Sequence, residues 1–171
     1  MNPTLNFSDR VNRVKPSFTL EMMTRAAELR AQGVDVINFS VGEPDFNTPD
    51  HIIKAGKEAM DNGFTKYTAG SGMIELREAI CEKLERDNGL HYDPNQVLVS
   101  NGEKQSLFTA CQVLFQKGDE VIIFSPYWVS FPEFVRLADA EPVIVTTDPN
   151  NQFEPDFDDL QLKITNKTKG V

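Results

Sequence analysis

The chain has 171 residues, of which 40% are hydrophobic and 25% charged, the size and composition of about one globular soluble domain. Its net charge of −9 argues against a nucleic-acid surface, which needs a basic face, so any anionic ligand has to be captured by a local arrangement against the overall field. Cys81 and Cys111 have neither CxxC spacing nor a histidine partner nearby, which argues against a metal site.

Both cysteines fall among apolar residues at helical spacing and are expected as buried thiols. His51 and His91 lie in polar surroundings and read as surface residues. The first sixteen residues, MNPTLNFSDRVNRVKP, contain no apolar run of the secretory type, and no later run approaches the ~20 residues needed to span a membrane. A cytosolic, cytoplasmic protein is the default expectation.

In chain order, the polar first eighteen residues, broken by Pro3 and Pro16, suit an extended arm. Leu20, Met23 and Ala27 then share a helical face, with Gly33 as the stop signal. Val34 to Val41 alternates enough to predict a strand ending at Gly42-Glu43-Pro44-Asp45. Thr48-Pro49 reads as an N-cap with proline at the first helical position, and Ile52, Ile53, Gly56, Ala59 and Met60 mark one face up to Gly63. Another helix carries Met73, Leu76, Ile80 and Leu84 and ends near Asn88-Gly89.

The second half is more regular. Short apolar strands are predicted at Val97–Ser100, Val121–Phe124 and Val143–Val145. Helices are predicted around Leu107, Phe108, Cys111, Leu114 and Phe115, over Val129 to Ala138, and over Pro155 to Leu162. Val171 reads as the first residue of a further buried strand. Apolar strands alternating with helices imply an α/β chain with a parallel sheet.

In a parallel sheet all strands end on one edge, and ligands bind in the crevice outside those carboxyl ends. The turns at Asn101-Gly102 and Ser125-Pro126-Tyr127-Trp128 therefore belong on one rim. The first offers backbone N–H groups at a helix N-terminus and the second an aromatic face, a pairing that suits a phosphate attached to a flat ring. Lys104 in the first helical turn opposes the helix dipole by about 0.3–1 kcal/mol, and a bound anion would reverse that sign. A solvated Lys104 and a core Trp128 are the alternative readings. Gly70-Ser71-Gly72 is followed by Glu75 where a dinucleotide fingerprint wants its third glycine, and no Walker-type sequence occurs.

VINFSVGEPDFNTP, TKYTAGSGMIELREAI, VSNGEKQSLF and GDEVIIFSPYWVSFPEFVRLA occur together in this order. The chain from Arg10 to Val171 thereby resembles the class I aminotransferases, pyridoxal-phosphate (PLP) enzymes of fold type I, and within them the bacterial-type aspartate and prephenate branch. The resemblance implies an N-terminal arm and small-domain segment over residues 1–48 and the first part of the PLP-binding large domain, with its mainly parallel sheet, over 49–171. Gly102, Glu103 and Lys104 match the turn at the PLP phosphate. Trp128 matches the residue that stacks on the pyridine ring and helps hold the substrate carboxylate, and Gly42 a glycine against that carboxylate. Tyr67 matches a tyrosine that reaches the phosphate of the neighbouring subunit in a homodimer. Thr19 and Lys104 match positions near the distal carboxylate of acidic substrates, and Lys15 falls in the same entrance segment.

Two departures stand out. Glu103 replaces the usual small residue beside the phosphate, so its side chain is expected to face solvent. The family's Schiff-base lysine, the aspartate on the pyridine nitrogen, a second PLP-contacting tyrosine and the arginine for the α-carboxylate are expected downstream of Val171. The chain is thus expected to be the N-terminal portion of an aminotransferase acting on amino acids and 2-oxo acids, with no catalytic residue of its own and no activity alone. The alternatives are another fold type I enzyme, a β-lyase or synthase, and a short non-catalytic remnant.

Overall fold

The computed structural model describes residues 6–40 and 42–171. They divide into two compact units, one formed by residues up to 40 together with 103–171, the other by 42–102. Among the described residues no helix is long and apolar enough to cross a membrane.

The first unit is organised by a three-stranded parallel sheet in the order β2-β1-β3, with β1 at Glu120–Ser125, β2 at Glu141–Thr146 and β3 at Thr168–Gly170. β1 is central, and its continuous apolar run is covered on both faces, as a parallel strand requires. Ile122 and Val145 are almost wholly buried, each contributing about 1.5–3 kcal/mol by leaving water. Val121 packs with Val135 and Ala140, and Phe115 and Ile123 close that cluster. Pro142 is buried in β2, which tolerates it as an edge strand.

Among the described residues, five α-helices belong to this unit. α1 spans Asp9–Asn12 and α2 spans Phe18–Ala31. The predicted extended arm is thus partly a helical turn, and residues 1–5, with Pro3, lie outside the described residues. Ala26 is the buried residue of α2, whereas Leu20 and Met23 are exposed, so the expected stripe is not a core face in this chain. α5 at Glu103–Leu114 turns Leu107 and Cys111 inward, with Phe115 just past its end on the same side, and α6 at Phe131–Leu137 begins two residues later than predicted. α7 spans Phe157–Lys163, capped by the Asp156 carboxylate, which accepts from the Asp158 and Asp159 amides at 3.0 and 3.1 Å.

The second unit holds α3 at Asp50–Asp61 and α4 at Ile74–Asn88. Pro49 itself is the N-cap of α3, one residue beyond the predicted N-cap at Thr48. α4 ends as predicted, at Gly89 with φ +66. Gly72 has φ +98, and a Cβ there would lie 2.7 Å from two Val99 side-chain atoms. Gly72 thus serves close packing, and the Val99 N–H also donates to the Ser71 carbonyl at 3.0 Å.

Three strand expectations need correction. Residues 34–40 form no strand, and Val41 lies outside the described residues. Val97–Ser100 is likewise not a strand, since an extended apolar segment becomes one only where a neighbouring ladder pairs it. The last strand is Thr168–Gly170, with Val171 exposed beyond it; pairing to β1 decides its place, and apolarity does not.

Candidate functional site

The carboxyl end of β1 is where the first unit gathers its unusual chemistry. After Ser125 the chain passes a cis peptide to Pro126, then Tyr127 and Trp128, and the Phe131 amide returns to the Trp128 carbonyl at 3.0 Å to open α6. Thr147, one residue past β2, is buried and donates its hydroxyl to the Ser125 carbonyl. That bond ties the carboxyl ends of the two strands together directly under the turn. Nothing in its local sequence marks Thr147 for such a task.

α5 meets α6 through an edge-on contact of Phe108 and Phe134, ring centroids 6.5 Å apart at 68°. This packing sets the N-terminal end of α5 beside the Trp128 turn. The Lys104 ammonium consequently lies 5.4 Å from the centroid of the Trp128 ring. An exposed cation over an indole is worth about 0.5–1 kcal/mol, enough to offset the dipole penalty at that helix end. Both side chains are solvent-exposed, which corrects the core reading of the tryptophan. A fixed cation beside an accessible aromatic face is chemistry for an anionic group carried on a flat ring.

The other positions named from the sequence are distributed as follows. Glu103 opens α5 and is exposed; a carboxylate there favours the dipole that Lys104 opposes. Thr19 lies half-buried in the first turn of α2, and the Lys15 amide donates to a Glu133 carboxylate oxygen at 3.2 Å. In the second unit, Gly102 has φ +83 and its N–H donates to the Ser100 carbonyl at 2.9 Å, a tight turn that favours glycine. Tyr67 is fully exposed, and Gly42 is exposed with no atom within 4 Å of where a Cβ would stand. Lys104 and Trp128 are therefore the pair brought together within one unit, and Lys15 and Thr19 lie on the segment leading into α2 of that unit.

Cys111 and Cys81 are half-buried rather than buried. Burial pushes the Cys111 thiol above its ordinary range, so it packs as a neutral group. His51 and His91 are exposed, as expected.

A family model for aminotransferase class I and II matches residues 34–171. A probable aspartate/prephenate aminotransferase of Thermus aquaticus is 47% identical over 96% of this chain and 43% of its own length. An aspartate/prephenate aminotransferase of Cereibacter sphaeroides is 51% identical over 95% of this chain and 40% of its own. Among solved structures, aspartate aminotransferase from Thermus thermophilus with maleate superposes with a TM-score of 0.90 at 45% identity, covering 96% of this chain and 43% of that one. The chain spans less than half the length of the relatives it matches. Its parallel sheet and flanking helices form part of the fold type I architecture of PLP-dependent aspartate aminotransferases. The chain belongs to the class I and II aminotransferase family.

Proposed function

We propose that the complete protein is a PLP-dependent aminotransferase that moves an amino group from an acidic amino acid, aspartate first, to a 2-oxo acid. The observation that carries this reading is the Lys104 ammonium 5.4 Å from the exposed Trp128 ring at the carboxyl edge of the parallel sheet. Class I and II aminotransferases use PLP generally, and this pair suits a phosphate on a pyridine ring. When bound, PLP supplies an electron sink for bond changes at the substrate α-carbon.

The chain's own residues position and select. Trp128 stacks on the ring and borders the substrate carboxylate, against which the Gly42 backbone lies. The Gly102-Glu103-Lys104 turn serves the phosphate, with the Glu103 carboxylate directed to solvent. Tyr67 reaches the phosphate site of the neighbouring subunit in a homodimer. Lys104, Lys15 and Thr19 draw in the distal carboxylate of the substrate. A dicarboxylate reading is supported by the relative captured with maleate, itself a dicarboxylate. Residues 1–48 serve as arm and small-domain segment, and 49–171 as the first part of the cofactor-binding domain. The Schiff-base lysine lies in the remainder of the complete protein, so the 171 residues alone are inactive.

The test is turnover by the complete protein with aspartate and a 2-oxo acid. Oxaloacetate and a new amino acid, formed only when both substrates are present, are expected. Release of ammonia, or a decarboxylated product, without need of the oxo acid would overturn the reading in favour of a lyase. Lys104→Ala should lower kcat/KM for aspartate roughly ten- to hundredfold, the loss of one charge-assisted contact, and change an apolar donor far less. Equal losses for both donors would remove Lys104 from the distal-carboxylate role.

A further inference from the structure

α6 ends in a hydrogen-bond pattern that usually has glycine at its centre. The Asp139 amide donates to the Arg136 carbonyl at 3.1 Å, and the Ala140 amide reaches back to the Val135 carbonyl at 3.2 Å. This is a Schellman motif, and the residue in its left-handed position, φ +62, is Asp139. An aspartate there is locally disfavoured twice. It has a Cβ where glycine is preferred, and it brings a negative charge to the negative end of a helix.

Its surroundings explain the choice. The Asp139 carboxylate accepts a hydrogen bond from the Arg13 guanidinium, 126 residues earlier in the chain. Arg10 of α1 and Lys117 of the α5–β1 turn border the same depression, together with Ser8 and Asp9. The Arg13 bond, supported by the charges of Arg13, Arg10 and Lys117, holds the carboxyl below the usual carboxylate range.

A second tie lies two residues on. Glu133, in the first turn of α6, divides its oxygens: one accepts from Arg136 at 2.5 Å, the other from the Lys15 backbone amide at 3.2 Å. A bond to the backbone fixes the path of the chain itself. Beyond it, Val14 to Phe18 form one wall of a cleft of roughly 430 Å³, with Tyr127, Val129 and Pro132 on the other side. An exposed ion pair alone contributes little. Once Arg13 is held, however, the Lys15 amide is already beside Glu133, and the second bond forms at a high effective concentration.

We propose that Asp139 and Glu133 are positioning residues: they fasten residues 8–15 to α6 at two points and thereby set where Lys15 and Thr19 stand for an incoming dicarboxylate. This inference rests on the functional reading above for the role of Lys15 and Thr19. The anchoring of the segment does not depend on that reading.

The experiment uses the complete protein and two readouts. Asp139→Asn keeps the size of the residue and its tolerance of the left-handed backbone while removing the charge. By hydrogen exchange, the amides of residues 9–14 should exchange about two- to fivefold faster in this variant, in keeping with one exposed pair. Glu133→Ala should speed exchange at the Lys15 amide. KM for aspartate should rise by a similar factor, about two- to fivefold, with kcat unchanged and an apolar donor unaffected. Arg13→Gln should match Asp139→Asn, the double variant should be no worse than either, and Arg13→Lys should stay near the parent. Unchanged exchange in Asp139→Asn, or single effects that add in the double variant, would overturn the anchor. Raised KM for acidic and apolar donors alike would overturn its link to the dicarboxylate. The exchange arm needs no turnover and so decides on the anchor even where amino transfer is not found.

Discussion

Two apolar segments run toward turns that matter here, and the chain treats them differently. Glu120–Ser125 is paired on both sides, by β2 and β3, and its last carbonyl is held by the Thr147 hydroxyl. Val97–Ser100 has no ladder; Val99 donates to the Ser71 carbonyl and packs on Gly72, while Leu98 is exposed. The turn that carries Trp128 is therefore fixed by the core of its own unit. The segment leading to the Ser100-Asn101-Gly102 turn is held at Val99 by its amide bond to Ser71 and by its contact with Gly72. Apolarity proposes an extended segment, and only a partner strand makes it part of a sheet.

The largest expected effect lies in the paired strand. Ile122→Ala leaves a cavity next to a fully buried position and should cost about 2–5 kcal/mol in chemical denaturation of the complete protein. A loss under about 1 kcal/mol would mean that β1 is not the anchor described. Gly72→Ala is the matching test of the unpaired segment. A methyl placed 2.7 Å from Val99, on a backbone with φ +98, should cost about 1–3 kcal/mol. A neutral result would show that the Gly72–Val99 contact does not hold residues 97–100. Thr147→Val removes the tie under the Trp128 turn and leaves the Ser125 carbonyl without that donor, for about 0.5–1.5 kcal/mol. No change in stability or in cofactor affinity would demote that bond to decoration.

The smallest effect concerns pH and the segment fastened to α6. Because the folded-state pKa of Asp139 is depressed, chiefly by its Arg13 hydrogen bond, its contribution is fully present above the ordinary carboxylate range. It is lost as pH falls through the depressed folded value. Protection of residues 9–14 should follow that course in the parent protein and lose this component in Asp139→Asn. Added salt should weaken it as well, since both side chains are half exposed. A pH dependence unaltered by the substitution would assign the effect to another group.

How far the sequence disclosed all this follows from the same physics. β1 is legible because an apolar run bounded by Gly118-Asp119 and Ser125-Pro126 has no amphipathic alternative. β3 was displaced by a few residues because Thr168-Lys169-Gly170 has no apolar signature: its amides and carbonyls place it, not its side chains. The stripe on α2 misled because periodicity reports a face and not what covers it. The meeting of Lys104 and Trp128 was legible only as a shared rim. The distance between them depends on Phe108 packing on Phe134, which no local pattern encodes. Arg13 and Asp139 were invisible for the same reason, being far apart in sequence and each unremarkable in its own neighbourhood.

The Trp128 face is the proposed cofactor platform. The most direct measurement is the dissociation constant of PLP from the complete protein and from Trp128→Leu, read from the absorbance of the bound cofactor. Binding is expected to be about tenfold weaker in the variant, equivalent to about 1.4 kcal/mol, with the fold intact. Equal affinity in the two proteins would contradict it and move the cofactor site away from the carboxyl end of β1.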